Sequence, residues 1–146
     1  MDTIVVGYND SPAARAALAW AANEARHRNA RVLVVYVVSS IGEWTLAAIQ
    51  VNTDPLRAAL EQHLAGKWTA PLRDQGIDYD TTVVEGSVGK AIRAAAVQAD
   101  ASMIVVGMTH RGALAEWMSD DPEPDLARHA ARPFVAVPAG WHEKVD

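Results

Sequence analysis

Short, uninterrupted runs of apolar and β-branched residues constrain the fold of this chain more than any other feature. Thr3 to Tyr8, Arg31 to Val38 and Met103 to Val106 are each of strand length and carry apolar side chains at most positions. Such runs are typical of strands buried on both faces, as in a parallel sheet covered by helices. Tyr79 to Glu85 alternates more, which favours a strand nearer the sheet edge, and Pro133 to Pro138 predicts a last strand.

The segments between these strands carry helix signals. Ser11-Pro12 predicts a helix that begins with a capping hydroxyl and has proline at its first position. Asp54-Pro55 repeats the signal before a long helix whose last turn we expect Pro71 to kink and Gly76 to close. The apolar stripe of that helix recurs every four residues, at Leu56, Leu60, Leu64, Trp68 and Leu72.

The remaining elements complete an alternation of strands and helices. Gly86-Ser87 predicts the start of a helix that turns Val88, Ile92 and three alanines inward. Residues 44–49 and 125–131 predict short helices, and residues 108–124 a long polar connection. The alternation predicts an α/β fold, with a single doubly wound sheet of five parallel strands and helices on both faces. We expect one domain over residues 1–146.

The composition narrows the classes of function. Lys and Arg number 13 against 18 Asp and Glu, a formal net charge of −5, whereas binding of nucleic acid relies on clustered cations. There is no Cys, which excludes disulfides, thiolate catalysis and Cys-ligated zinc. No signal peptide precedes the first strand, and no apolar run has the length of a membrane span. We therefore expect a cytoplasmic protein that binds neither nucleic acid nor membranes.

The fold class also predicts where a ligand binds. In doubly wound sheets, ligands lie beyond the carboxyl ends of the strands, where the strand order reverses. The loops at residues 8–11, 37–42 and 107–121 are expected to meet there. Ser11 is interpreted as a helix cap rather than a nucleophile, because no His-Asp arrangement accompanies it. No residue is assigned to catalysis or to a metal.

Three stretches make the chain similar to a known family. Gly7-Tyr8-Asn9-Asp10-Ser11, Val34 to Val38, and Ile104 to Gly107 followed by Arg111-Gly112 resemble the corresponding segments of universal stress proteins. The resemblance implies a Rossmann-like, adenine-nucleotide hydrolase-like fold and a homodimer formed through the last strand. A bare sheet edge also tends to pair with another strand. We therefore predict four interface residues: Phe134, Val135, Ala136 and Val137.

The resemblance also implies a loop that binds phosphates. ATP-binding members of the family carry glycine, two residues, a second glycine, nine residues, then Gly-Ser or Gly-Thr. The corresponding positions here are Gly107, His110, Asp120 and Asp121. Like charges about 4 Å apart repel by about 1–4 kcal/mol, so the two carboxylates are expected to oppose a polyphosphate. We also expect Asp121 to cap the helix predicted after it. The candidates in this loop are Gly107, Thr109, His110, Gly112, Asp120 and Asp121, and the altered motif predicts a protein that does not depend on ATP.

Two further candidates lie on the other side of the expected cleft. The family usually has Asp at the position of Asn9, which the resemblance places near the ribose and metal. Asn keeps an acceptor oxygen but loses the charge that is useful to Mg²⁺. Val37 matches the residue whose main chain contacts adenine in binding members.

Three functions remain open from the sequence. The first is a dimeric regulatory or binding module of the stress response that needs no cofactor and acts through protein partners. The second is a nucleotide-sensing module that binds AMP, cyclic AMP or metal–ATP between the first and fourth strands. The third is a weak ATPase, against which the missing glycines and the lack of a positioned base count.

Overall fold

The parallel sheet that the sequence predicts is present. A computed structural model describes residues 1–39, 54–108 and 132–143. The described strands are β1 (Thr3–Tyr8), β2 (Arg31–Ser39), β3 (Tyr79–Gly86), β4 (Met103–Met108) and β5 (Phe134–Pro138). They form one sheet in the spatial order β3-β2-β1-β4-β5, and every neighbouring pair is parallel. The predicted fold class is confirmed, including the position of the third strand at a sheet edge.

The strand boundaries differ from the prediction at a few residues. β2 continues through Ser39 and β3 through Gly86, and β5 begins at Phe134 instead of Pro133. The fourth strand was predicted over Met103 to Val106, ending at Gly107, but β4 continues through Met108. Gly107 pairs with Val137 of β5, so it lies inside a strand instead of opening a loop.

The first helix, α1 (Pro12–Arg28), begins as predicted. The Ser11 hydroxyl accepts a hydrogen bond from the Ala14 N–H at 3.0 Å, and Pro12 is at the helix start. Asn29 ends the helix in the left-handed region with φ 55°, and its N–H bonds to the Ala25 carbonyl. The buried face of α1 is largely alanine, so the helix lies close against the sheet.

The prediction of one long helix after Asp54 is wrong, because the helix is interrupted at Gly66. The described elements are α2 (Asp54–Ala65), a 3₁₀ turn (Lys67–Thr69) and α3 (Ala70–Asp74). The Arg73 guanidinium donates hydrogen bonds to the carbonyls of Ala65, at 2.9 Å, and Gly66. These bonds satisfy carbonyl groups that a helix end leaves without partners. Pro71 therefore lies at the start of α3 instead of kinking the end of one long helix.

The helices cover both faces of the sheet and form two cores. Residues of α1, α2 and α3 pack with Ile4 and Val6 on one face, whereas α4 (Val88–Gln98) packs with Val5 and Val35 on the other. The predicted helices at residues 44–49 and 125–131 lie outside the described residues. No helix of the described part is both long and apolar enough to cross a membrane.

Candidate functional site

A cleft lies beyond the carboxyl ends of the central strands, where the strand order reverses. β1 has β2 on one side and β4 on the other, and the chain reaches β4 by crossing from edge strand β3 through α4. The cavity measures about 410 Å³, which is within the range of small-molecule sites. Its described lining residues come from three strands, the turn after β1 and two helices: Gly7, Tyr8, Asn9, Tyr36, Val37, Val38, Leu56, Leu60, Val88, Ile92 and Val106.

The two helical walls of this cleft are apolar. Leu56 and Leu60 line it from α2, and Val88 and Ile92 line it from α4. Leu56 and Val88 are 50% and 37% exposed, so they are accessible to solvent at the mouth. None of the described lining residues is a Lys, Arg, His, Asp or Glu. The described lining therefore supplies apolar contact, main-chain groups, two tyrosine rings and the Asn9 amide, but no cationic side chain that would bind a phosphate.

Sequence reasoning did not assign these four helix residues to a site. Their spacing along α2 and α4 is that of an amphipathic helix, which predicts core positions. Leu60 and Ile92 are indeed buried, while Leu56 and Val88 are in the first turns and border the cleft. The signal that would have found them is their position at the start of helices that follow β2 and β3.

Asn9 lines the cleft, and its side-chain oxygen is used within the turn after β1. That oxygen accepts hydrogen bonds from the Ser11 N–H at 3.2 Å and from the Ser11 hydroxyl at 2.7 Å. The Ser11 hydroxyl in turn caps α1. Asn9 therefore stabilises the turn. Its side-chain oxygen, which the family resemblance places near the ribose and metal, is bonded to Ser11.

The same turn is held by an adjacent charged contact. Asp10 has φ 55°, and its carboxylate accepts hydrogen bonds from the Tyr8 hydroxyl at 3.2 Å and from Arg15 at 3.1 Å. Burial, followed by the charge of Asp10 and the hydrogen bond to it, raises the pKa of Tyr8 above its ordinary value of 10.0. The Tyr8 hydroxyl is thus held in its neutral form as a donor.

An aromatic cluster lies next to the cleft. Tyr8 and Tyr36 both line the cavity and are paired across β1 and β2. Each ring contacts Trp68 of the 3₁₀ turn, with centroid distances of 5.5 Å and 5.7 Å. His63 stacks on Trp68 at 4.9 Å. The break after α2 therefore places an indole ring against the two tyrosines of the cleft.

Val37 lines the cleft beyond the last residue pair of β1 and β2. The main-chain N–H of Arg31 donates to the carbonyl of Asp2, the residue before β1, at 2.8 Å. Main-chain groups then alternate in direction along a strand. The alternation directs the Val37 carbonyl toward the β1 side, one residue past the pair formed by Tyr8 and Tyr36. This main-chain group is available to a ligand, in agreement with the contact that the resemblance implies.

Gly107 is not among the described residues that line the cleft, and packing requires it to be glycine. A Cβ atom at this position would lie 2.4 Å from the carbonyl carbon of Ala13 and 2.6 Å from the nitrogen of Ala14. Both atoms belong to the main chain at the start of α1, which therefore sits directly on β4. The other candidates of the phosphate loop, Thr109, His110, Gly112, Asp120 and Asp121, lie outside the described residues.

The predicted interface residues form the other edge of the sheet. β5 is a terminal strand, and Phe134 is 41% exposed whereas Val137 is 2% exposed. The Ile104 N–H donates to the Pro133 carbonyl at 2.9 Å, so the alternation directs Val135 and Val137 toward β4 and the main-chain groups of Ala136 away from it. β5 contains no charged residue.

The fold and the cleft define the class of protein, an α/β domain of the nucleotide-binding type with a ligand cleft at the switch in strand order. A model of the universal stress protein family matches residues 1–138. The chain belongs to the universal stress protein family, which confirms the resemblance seen in the sequence.

Individual relatives agree with this assignment. A universal stress protein of Mycolicibacterium smegmatis is 28% identical over 142 residues, which cover 92% of this chain and 47% of the relative. The chain thus spans about half the length of that curated relative. A crystal structure of a universal stress protein family member from Burkholderia pseudomallei has 25% identity and a TM-score of 0.64, and the match covers 94% of this chain and 96% of that one.

Other similar structures hold nucleotides. The universal stress protein of Archaeoglobus fulgidus in complex with dAMP has a TM-score of 0.67 at 20% identity, covering 94% of this chain and 98% of that one. A member from Arabidopsis thaliana with AMP bound has a TM-score of 0.64 at 15% identity, covering 94% and 92%, and another family structure contains cAMP. At these identities the likeness shows the shared fold.

Proposed function

We propose that this chain is a regulatory binding module of the stress response that does not depend on ATP and acts as a dimer through protein partners. The observation that carries the proposal is the chemistry of the cleft. Its described walls present apolar side chains and no cation, and the side-chain oxygen of Asn9 is bonded to Ser11. The described lining offers no charged side chain to a triphosphate or to its Mg²⁺. Asp120 and Asp121, which the family resemblance assigns to the phosphate-binding loop, are expected to oppose it further.

A second candidate function is nucleotide sensing with a smaller ligand. A cavity of about 410 Å³ bordered by Val37 and apolar side chains suits a planar heterocycle. Relatives of this fold were solved with AMP, dAMP and cAMP. Under this alternative, the cleft binds a nucleoside monophosphate through its base and tolerates few phosphate charges.

Thermal unfolding with ATP, ADP, AMP and cyclic AMP, each with and without Mg²⁺, separates the two candidates. A ligand at about a hundred times its Kd adds about 2.7 kcal/mol, which raises the midpoint by about 5–10 °C for a domain of this size. The first proposal expects no rise with any of the four. A rise only with AMP or cyclic AMP supports the second candidate. A rise with Mg–ATP contradicts the first proposal and the interpretation that the altered loop opposes a polyphosphate.

Two matched substitutions test whether a ligand binds in the cleft. Val88→Glu puts a carboxylate at the mouth, whereas Val97→Glu puts one at an exposed position of the same helix that does not line the cavity. A rise that AMP causes should be lost in Val88→Glu and kept in Val97→Glu. Loss in both variants, or in neither, would mean that the ligand binds elsewhere.

The proposed dimer is tested by proline substitutions in β5. The main-chain groups of Ala136 are directed away from β4 and those of Val135 toward it, and proline removes the N–H of its own residue. Ala136→Pro should therefore weaken a dimer formed through this edge while leaving the ladder to β4 intact. Val135→Pro should lower stability instead. Sedimentation that shows a monomer for the unmodified chain, or an unchanged dimer for Ala136→Pro, would contradict the proposed interface.

A further inference from the structure

The second edge of the sheet, β3, differs from β5 in how its main chain is covered. The Val32 N–H donates to the Asp78 carbonyl at 3.0 Å, which sets the alternation along β3. Its even-numbered residues therefore bond to β2, and its odd-numbered residues direct their N–H and carbonyl groups outward. The outward residues are Tyr79, Thr81, Val83 and Glu85.

An arginine from α2 covers the middle of this outward edge. Arg57 donates a hydrogen bond from Nη1 to the Val83 carbonyl at 2.8 Å. Its Nη2 lies 3.6 Å from the Glu85 carboxylate, which belongs to the next outward residue. The guanidinium is bonded to an outward carbonyl of the edge, so it lies where the N–H of an added strand would have to donate.

Charges elsewhere on β3 reinforce this cover. Asp80, an exposed residue of this strand, forms an ion pair with Arg31 at 2.6 Å. Charged residues on edge strands are a common means of preventing association through sheet edges. β5, by contrast, contains only Phe, Val, Ala and Pro.

We propose that Arg57 closes the β3 edge to a second copy of this chain, which confines edge-to-edge association to β5. This inference builds on the proposed dimer. A single usable edge gives a closed pair, because each copy has only one surface to offer. Two usable edges would let dimers join through β3 into open chains. Arg57 therefore limits the assembly to a dimer, whereas the dimer itself forms through β5.

The test compares Arg57→Leu with Glu85→Gln by sedimentation and light scattering over a range of protein concentrations. Arg57→Leu uncovers the Val83 carbonyl, and its weight-average mass should rise with concentration to at least about double that of the unmodified chain. Glu85→Gln leaves the hydrogen bond of Arg57 to Val83 in place and should match the unmodified chain. An unchanged mass for Arg57→Leu overturns the inference. The inference also fails if Glu85→Gln associates as strongly as Arg57→Leu, because charge alone would then close the edge.

A second substitution separates edge pairing from loss of folding. Thr81→Pro removes an outward N–H of β3 without touching the ladder to β2. The double variant Arg57→Leu with Thr81→Pro should return to the mass of the unmodified chain, with a cooperative thermal transition. Association that persists in the double variant overturns the inference. If the unmodified chain proves monomeric, the dimer proposal fails, but Arg57→Leu is still expected to associate and Thr81→Pro to reverse it.

Discussion

Replacing Gly107 with alanine tests whether this glycine serves the packing of the fold. In the family motif this position begins the phosphate-binding loop. In the structure it lies inside β4, with the main chain of Ala13 and Ala14 directly above it. The substitution adds one methyl group, which would lie 2.4 Å and 2.6 Å from main-chain atoms of these two residues.

The expected cost follows from these distances. Main-chain atoms at the start of a helix do not turn away as a flexible side chain does, so α1 must move off the sheet or β4 must shift. Overpacking of this kind typically costs about 1–3 kcal/mol, and more when rigid groups clash. We expect about 3 kcal/mol, which lowers the thermal midpoint by roughly 6–12 °C for a domain of this size.

The assay is thermal or urea unfolding beside a matched control. No atom lies within 4 Å of a Cβ built on Gly140, so Gly140→Ala should change stability by less than about 0.5–1 kcal/mol. If Gly107→Ala unfolds within about 2 °C of the unmodified chain, the close approach of α1 to β4 is wrong. The packing explanation of Gly107 then fails with it.

Three further substitutions test the local structure around the cleft and the helix ends. Ser11→Ala removes the cap that accepts from Ala14 and should lower the free energy of unfolding by about 0.5–2 kcal/mol, measured in urea. Arg73→Met removes the donor to two solvent-accessible carbonyls at the end of α2 and should cost about 0.5–1.5 kcal/mol by the same assay. Because burial and Asp10 raise the pKa of Tyr8 in the folded protein, the stability from its neutral hydroxyl is complete below pH 10 and is lost as pH rises above it. The difference in unfolding free energy between the unmodified chain and Tyr8→Phe should therefore be constant from about pH 7 to 9. Above about pH 10, the unmodified chain should lose stability relative to Tyr8→Phe. A difference that stays constant above about pH 10 would contradict the raised pKa.

Much of the fold could be predicted because the strongest patterns in the sequence reflect burial. β1, β2 and β4 are covered on both faces, which requires nearly continuous apolar residues, and their runs are visible in the sequence. The start of α1 was equally visible, since Ser11 and Pro12 act through their immediate neighbours.

The break after α2 could not be predicted from the same kind of pattern. Leu60, Leu64 and Leu72 are buried as the stripe predicts, so the apolar periodicity continues through a turn that is not α-helical. The break is stabilised by Arg73, whose bonds to the end of α2 depend on the three-dimensional path of the chain. Periodicity carries no information about such a contact.

The candidate site was predicted in part, because strand ends are easier to locate than the walls between them. Asn9, which follows β1, and Val37, near the end of β2, line the cleft as predicted. Leu56 and Val88 were missed, because a residue at the start of an amphipathic helix has the same pattern whether it faces a core or a cleft. The bond of Asn9 to Ser11 was also not predictable, since it depends on the geometry of one turn.

A calorimetric titration of the chain with Mg–ATP is the most direct test of the central claim, that the function does not depend on ATP. An apolar cleft wall and an acidic loop predict no saturable binding at concentrations up to about 1 mM, which corresponds to a binding free energy weaker than about 4 kcal/mol. Saturable binding of one Mg–ATP per chain with a micromolar Kd or tighter would contradict the claim.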